Sequence, residues 1–170
     1  LWVAELQADA ALHKPQRIAG GPTESIFQPE WRSDGMLYFV SDRTNWWNLY
    51  RVVAGESEAV APLAAEFGGP QWVFGLSQYT FLADGTIACI YAQEGFDYLG
   101  LIASDSHHVQ PIPCAYTTLS SLQSDGNMLY MVGASPANAA AVIRLQPQRG
   151  ATTTLRTSFT TDVDARFFAQ

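Results

Sequence analysis

Short apolar runs alternate with polar, glycine-bearing turns along the chain, and their spacing repeats. Three runs follow an Asp-Gly pair: residues 36–40 after Asp34-Gly35, 86–90 after Asp84-Gly85, and 127–132 after Asp125-Gly126. The aspartates lie 50 and 41 residues apart. Asp-Gly between strands predicts a tight primed turn, with positive φ at both central residues. A further strand is expected 14 residues after the first two aspartates, at 48–53 and 98–102, and 16 to 20 after the third, at 141–145. A closing strand is expected at 59–63, 109–112 and 152–156, and a leading one at 26–31, 79–82 and 117–122.

Four strands at a period of 41 to 50 residues are the pattern of a β-propeller blade. The opening fits half a unit, with 1–6 like a third strand and 17–19 like a fourth. The expected fold is all-β, a partial β-propeller of about three and a half four-stranded antiparallel blades. Its expected divisions are a half blade at 1–22, blades at 23–65, 66–114 and 115–158, and a tail at 159–170. A β-sandwich would also use short strands and turns, but it does not predict the recurring Asp-Gly offsets. Residues 137–145 are alanine-rich and compatible with helix, although the unit calls for a strand in their second half. Residues 64–67 could form one helical turn.

Composition narrows the function. Only 15% of residues are charged, 48% are hydrophobic and 12% aromatic, too apolar for a disordered chain. The net charge is −7 and Lys14 is the one lysine, which argues against nucleic acid or an anionic membrane as partner. No run of 18 apolar residues predicts a membrane span. Cys89 and Cys114 make no disulfide framework or Cys-x-x-Cys, so a reducing, cytoplasmic setting is expected. The chain opens like mid-strand and shows no signal-peptide pattern. It is expected to be a piece of something longer, with open blade faces and edges that self-associate.

The stretch from Phe27 to Arg51 contains Glu30-Trp31-Arg32-Ser33-Asp34-Gly35, then Ser41-Asp42-Arg43 and Leu49-Tyr50. It resembles the propeller repeat shared by the TolB protein and the prolyl oligopeptidase family, with Arg32-Ser33 where Ser-Pro is usual. Glu66-Phe67-Gly68-Gly69-Pro70-Gln71-Trp72-Val73-Phe74-Gly75 resembles the bacterial dipeptidyl aminopeptidase and acylaminoacyl peptidase branch. The likeness is weaker in the last unit, where Gly133-Ala134-Ser135 replaces the Ser-Asp-Arg box. The resemblance implies the second half of a propeller that caps an α/β-hydrolase domain carrying a Ser, Asp, His triad. Such a cap admits short peptides and excludes folded proteins.

Catalytic motifs are absent from the sequence itself. The nearest approach to the Gly-x-Ser-x-Gly elbow is Gly75-Leu76-Ser77-Gln78-Tyr79, without the final glycine. Gly133-Ala134-Ser135-Pro136 fails in the same way. His13, His107 and His108 lack ligand spacing, so no metal and no cofactor are expected. Asp162 and Asp164 are tail neighbours rather than a carboxylate pair across a cleft. The candidate binding residues are Glu24, Arg43, Trp46 and Trp47, with no catalytic residue in this chain. Arg43 suits a peptide carboxylate because its fork bonds bidentately, and Glu24 suits a peptide amino group. The leading function is a non-catalytic cap whose partners are its own hydrolase domain and a peptide. The alternatives are a stand-alone TolB-like protein- or peptide-binding module, and a carbohydrate-binding propeller using Trp46, Trp47 and Trp72.

Overall fold

The structure is a computed structural model, and it describes residues 1–161 and Phe167. Asp162 and Asp164 lie outside the described residues. Fourteen strands form, and no α-helix does among the described residues. β1 (Trp2–Leu6) and β2 (Leu12–Arg17) make a two-stranded sheet. Three four-stranded antiparallel sheets follow, each in sequence order. The first holds β3 (Ile26–Trp31), β4 (Leu37–Ser41), β5 (Asn48–Val53) and β6 (Glu56–Ala59). The second holds β7 (Tyr79–Phe81), β8 (Ile87–Gln93), β9 (Phe96–Ile102) and β10 (Gln110–Ile112). The third holds β11 (Thr118–Ser124), β12 (Leu129–Ser135), β13 (Asn138–Gln146) and β14 (Ala151–Thr157). The fold is all-β, a partial propeller.

Alternation along the central strands explains the stacking, because successive side chains leave a strand on opposite faces. From β4, Tyr38 and Val40 enter a core shared with Tyr79, Ile87, Cys89 and Tyr91 of the second sheet. Phe39 points the other way, into a core with Tyr50, Ala19 and Leu1. From β8, Ala88 and Ile90 join Leu119, Leu122, Leu129 and Met131 of the third sheet. Strands covered on both faces must be apolar throughout, and β4 is wholly buried. The sheets converge at their first strands. Tyr79 Oη donates to Gln28 O at 2.7 Å, and Leu122 N donates to Ser77 O at 3.0 Å. At the far edge of the third sheet, β14 is exposed along its length.

The Asp-Gly pairs form turns of another kind than expected. Gly35 and Gly85 have φ of +83° and +84°, while Asp34 and Asp84 do not have positive φ. Gly35 N donates to Arg32 O at 2.9 Å, and Asp34 Oδ1 accepts from Met36 N at 3.1 Å. The aspartate thus acts as a side-chain turn former two residues ahead. The Arg32 guanidinium bonded to Asp34, and then the Met36 amide, hold its carboxyl down at about 2. The positive-φ pairs that a primed turn needs occur at Ala54-Gly55 and Glu94-Gly95, which join two-residue hairpins.

Two outer strands also lie earlier than their apolar neighbours indicated. The fourth strand of the first sheet is Glu56–Ala59, and β2 ends at Arg17. Val60, Ala61 and Ala19 instead fill cores between sheets. The alanine-rich 137–145 segment is strand, paired on both sides, since Val132 and Arg156 both flank Val142. Residues 64–67 form no helical turn. Glu66 bridges Ala92 of β8, with N···O distances of 2.9 and 2.8 Å.

Candidate functional site

The four residues singled out from sequence gather at one end of the first sheet, around the turn from β4 to β5, with Arg43 against the Phe39 and Tyr50 face and Trp47 against Phe27 on the other. Glu24 and Arg43 meet each other. Glu24 Oε1 accepts from Arg43 Nε at 2.9 Å and pairs with Arg43 Nη2 at 2.7 Å. The same oxygen accepts from Ser41 Oγ at 2.6 Å, while Oε2 accepts from Gly20 N at 3.0 Å. The Arg43 guanidinium also lies 4.6 Å from the Tyr50 ring centroid and 5.6 Å from that of Phe39. Burial pushes the Glu24 carboxyl up, but the bonds from Ser41, Arg43 and Gly20 and the charge of Arg43 outweigh it, so its pKa is lowered. Glu24 therefore ties the loop after β4 to the segment following β2.

Trp46 and Trp47 sit on the same loop. Trp47 packs edge-on against Phe27 at 6.3 Å, and its ring presses on Gly68, where an added Cβ would stand 2.9 Å away. Trp47 N donates to Glu66 Oε2 at 2.8 Å. Trp46 is 42% exposed and walls a cleft of about 390 Å³ with Glu66 and Glu94.

The segment linking the first and second sheets carries Trp72, which the sequence offered only as a sugar platform, and Phe74, which it passed over for function. Trp72 and Phe74 are 88% and 106% exposed. The segment is held at both ends: Gln71 Nε2 donates to Ile26 O at 3.0 Å, and Gln78 N donates to Gln28 Oε1 at 2.6 Å. The aromatic segment is therefore anchored to β3 at both ends. Gln28 itself has φ of +44° at a bulge in β3, which turns its side chain toward the second sheet. Its Nε2 donates to Tyr79 O and to Glu30 Oε1, each at 2.8 Å. Burial raises the pKa of Glu30, which the Gln28 bond only partly offsets.

Ser77, the nearest approach to a nucleophile, is buried, and its Oγ donates to Leu122 O at 2.6 Å. No histidine stands beside it as a base. His13 Nδ1 lies 3.3 Å from Glu5 Oε2, and His107 Nδ1 lies 3.0 Å from Val60 O. No group of three potential metal ligands occurs among the described residues. Cys89 is buried, which pushes its thiol up to about 12, and Cys114 is partly buried; both are free.

No protein-family profile and no curated protein matches the chain. Solved structures do. Puromycin hydrolase superposes with a TM-score of 0.88 at 31% identity, over 98% of this chain and 26% of its own length. A puromycin-hydrolyzing peptidase of Mycobacterium tuberculosis gives 0.87 at 29% identity, over 95% of this chain and 25% of its own. Prolyl oligopeptidase B from Galerina marginata shares the fold, with a TM-score of 0.71 at 14% identity over 97% of this chain. The chain spans about a quarter of the length of the structures it matches, 26% of the first. On sheet order and on identity together, the chain is similar to part of the β-propeller of prolyl oligopeptidase family peptidases.

Proposed function

We propose that this chain is part of a non-catalytic propeller cap that gates peptide access to an α/β-hydrolase domain of the same protein. The observation that carries the reading is the match to puromycin hydrolase across 98% of the chain at 31% identity. The hydrolase would supply the nucleophile, since Ser77 is committed to Leu122. In this reading Glu24 and Arg43 brace the loop that carries Trp46 and Trp47, and the tryptophans meet the peptide. The exposed Trp72 and Phe74 line the entrance beside them. The two free thiols support a reducing, cytoplasmic setting. The test uses the parent enzyme and one tetrapeptide sequence, offered as a p-nitroanilide and as an exposed loop of a folded carrier. Gating predicts at least about 100-fold higher kcat/KM for the free peptide, about 2.7 kcal/mol of discrimination. Equal rates would remove the gating role.

The chain by itself should self-associate. β1 pairs only with β2, so one strand edge is open, and Trp2 and Leu6 beside it are exposed. Light scattering at rising concentration should show mass above that of one chain. A constant monomer mass across the series would refute this.

A further inference from the structure

We infer that the outer face of the third sheet is a docking surface for a further sheet of the propeller, one that brings a carboxylate to Arg144. The inference rests on the propeller fold and not on gating. Alternation along β12 and β13 sends Leu129, Met131, Ile143 and Leu145 into the core shared with the second sheet. Tyr130, Val132, Val142 and Arg144 therefore leave from the other face. Cross-strand pairing sets them in two rows: Tyr130, Arg144 and Thr153, then Val132, Val142 and Arg156.

The same rows recur in the first two sheets, where they are covered. Tyr38 and Val40 of the first sheet are buried against the second, and Ala88 and Ile90 of the second are buried against the third. On the third sheet Val142 is 40% exposed. Its counterparts in the paired rows, Leu49 and Leu99, are 1% and 0% exposed.

Arg144 specifies the chemistry of the covering sheet. In the first sheet Arg51 stands opposite Tyr38, and Glu58 stands opposite Arg51 on β6. Arg51 Nη2 meets Glu58 Oε2 at 3.3 Å. In the third sheet Arg144 stands opposite Tyr130 in the same way, but Thr153 takes the place of the glutamate. Arg144 Nε is buried and has no hydrogen-bond partner among the described residues. Asp125, in the turn before β12, is already engaged: Oδ1 accepts from Asn127 N and Met128 N, and Oδ2 from Tyr130 Oη. The two rows hold two arginines and no acid, in a chain of net charge −7. A buried guanidinium donor without an acceptor is costly. A carboxylate from the covering sheet supplies the acceptor that Glu58 supplies within the first sheet.

The experiment compares this chain with the parent protein that contains it. Val142→Cys is treated with iodoacetamide, and labelling is read at that position by mass spectrometry. Labelling in the parent should be at least about tenfold slower than in the chain. Arg144→Leu is then followed by amide hydrogen exchange along β13. In the parent, exchange should quicken by about tenfold, because an ion pair is lost. In the chain it should not quicken, because no acceptor is lost there. Arg51→Leu is the control: its pair lies within one sheet, so exchange along β5 should quicken by the same factor in both. Equal labelling of Val142→Cys in chain and parent overturns the docking surface. Protection that appears in the chain and grows with its concentration assigns the face to a second copy and overturns it too. Equal effects of Arg144→Leu in chain and parent overturn the ion pair, whereas a failure of gating leaves all of these readouts unchanged.

Discussion

Replacing Phe39 with alanine should lower the unfolding free energy by about 3–5 kcal/mol. Phe39 is completely buried in β4 and stacks on Tyr50, with ring centroids 5.8 Å apart. These two rings and Ala19 are the core on which the β1–β2 sheet rests, with Leu1 and Ile26 packed at its margin. The neighbours cannot collapse into the space, because Phe39 lies in a strand paired on both sides. The guanidinium of Arg43 would also lose one of its two aromatic contacts. A domain has only about 5–15 kcal/mol in total, so the loss should be visible as a large drop in the urea midpoint at neutral pH. A change below about 1 kcal/mol would mean that this core does not hold the β1–β2 sheet.

Replacing Glu24 should act through charge and should show itself in acid. At neutral pH, Glu24→Ala should cost about 2–3 kcal/mol, because charged hydrogen bonds to Ser41, Arg43 and Gly20 are lost together. The figure stays below that of a fully buried pair because the two side chains keep 29% and 19% of their surface in solvent. The pKa of Glu24 is lowered in the folded protein from an ordinary value of 4.5. Its contribution is therefore complete above the unfolded value and disappears as pH falls through the lower folded one. Urea unfolding between neutral pH and pH 3 should show the unsubstituted chain losing stability below about pH 4.5, with Glu24→Gln falling less steeply. Parallel curves for the two proteins would exclude a stabilising role for this carboxylate.

How far the sequence speaks depends on what each strand faces. β3 and β5 run over the residues expected, Ile26–Trp31 and Asn48–Val53, because each keeps the repeat's spacing from the Asp34-Gly35 turn. Outer strands carry no such mark. β6 alternates Glu56 and Glu58 on its exposed positions, and β2 is exposed throughout. The hydrophobic signal beside them belongs to Val60, Ala61 and Ala19, which leave the strand and plug the gap between sheets. Propensity misled for a similar reason at 137–145. Alanine favours helix locally, but pairing to β12 and β14 makes the segment a strand.

The candidate site divides in the same way. Trp46, Trp47, Glu24 and Arg43 stood out as unusual polar or aromatic residues near one motif. Their chemistry rests on partners far along the chain. Glu24 reaches back to Gly20 and forward to Arg43, while Glu66 reaches Trp47 and Ala92. Gln28 reads as an ordinary strand residue until a positive φ turns it toward Ser77 and Tyr79.

By itself the sequence determined the blade repeat, the all-β class and the family resemblance, because these follow from local periodicity and from residue patterns within some 50 positions. Only the tertiary structure decided which carboxylates are filled. It also decided which turns are primed and which apolar residues lie in strands rather than between sheets. Those outcomes depend on contacts between neighbouring blades, where hydrogen bonds and burial are satisfied by groups that no local pattern brings together.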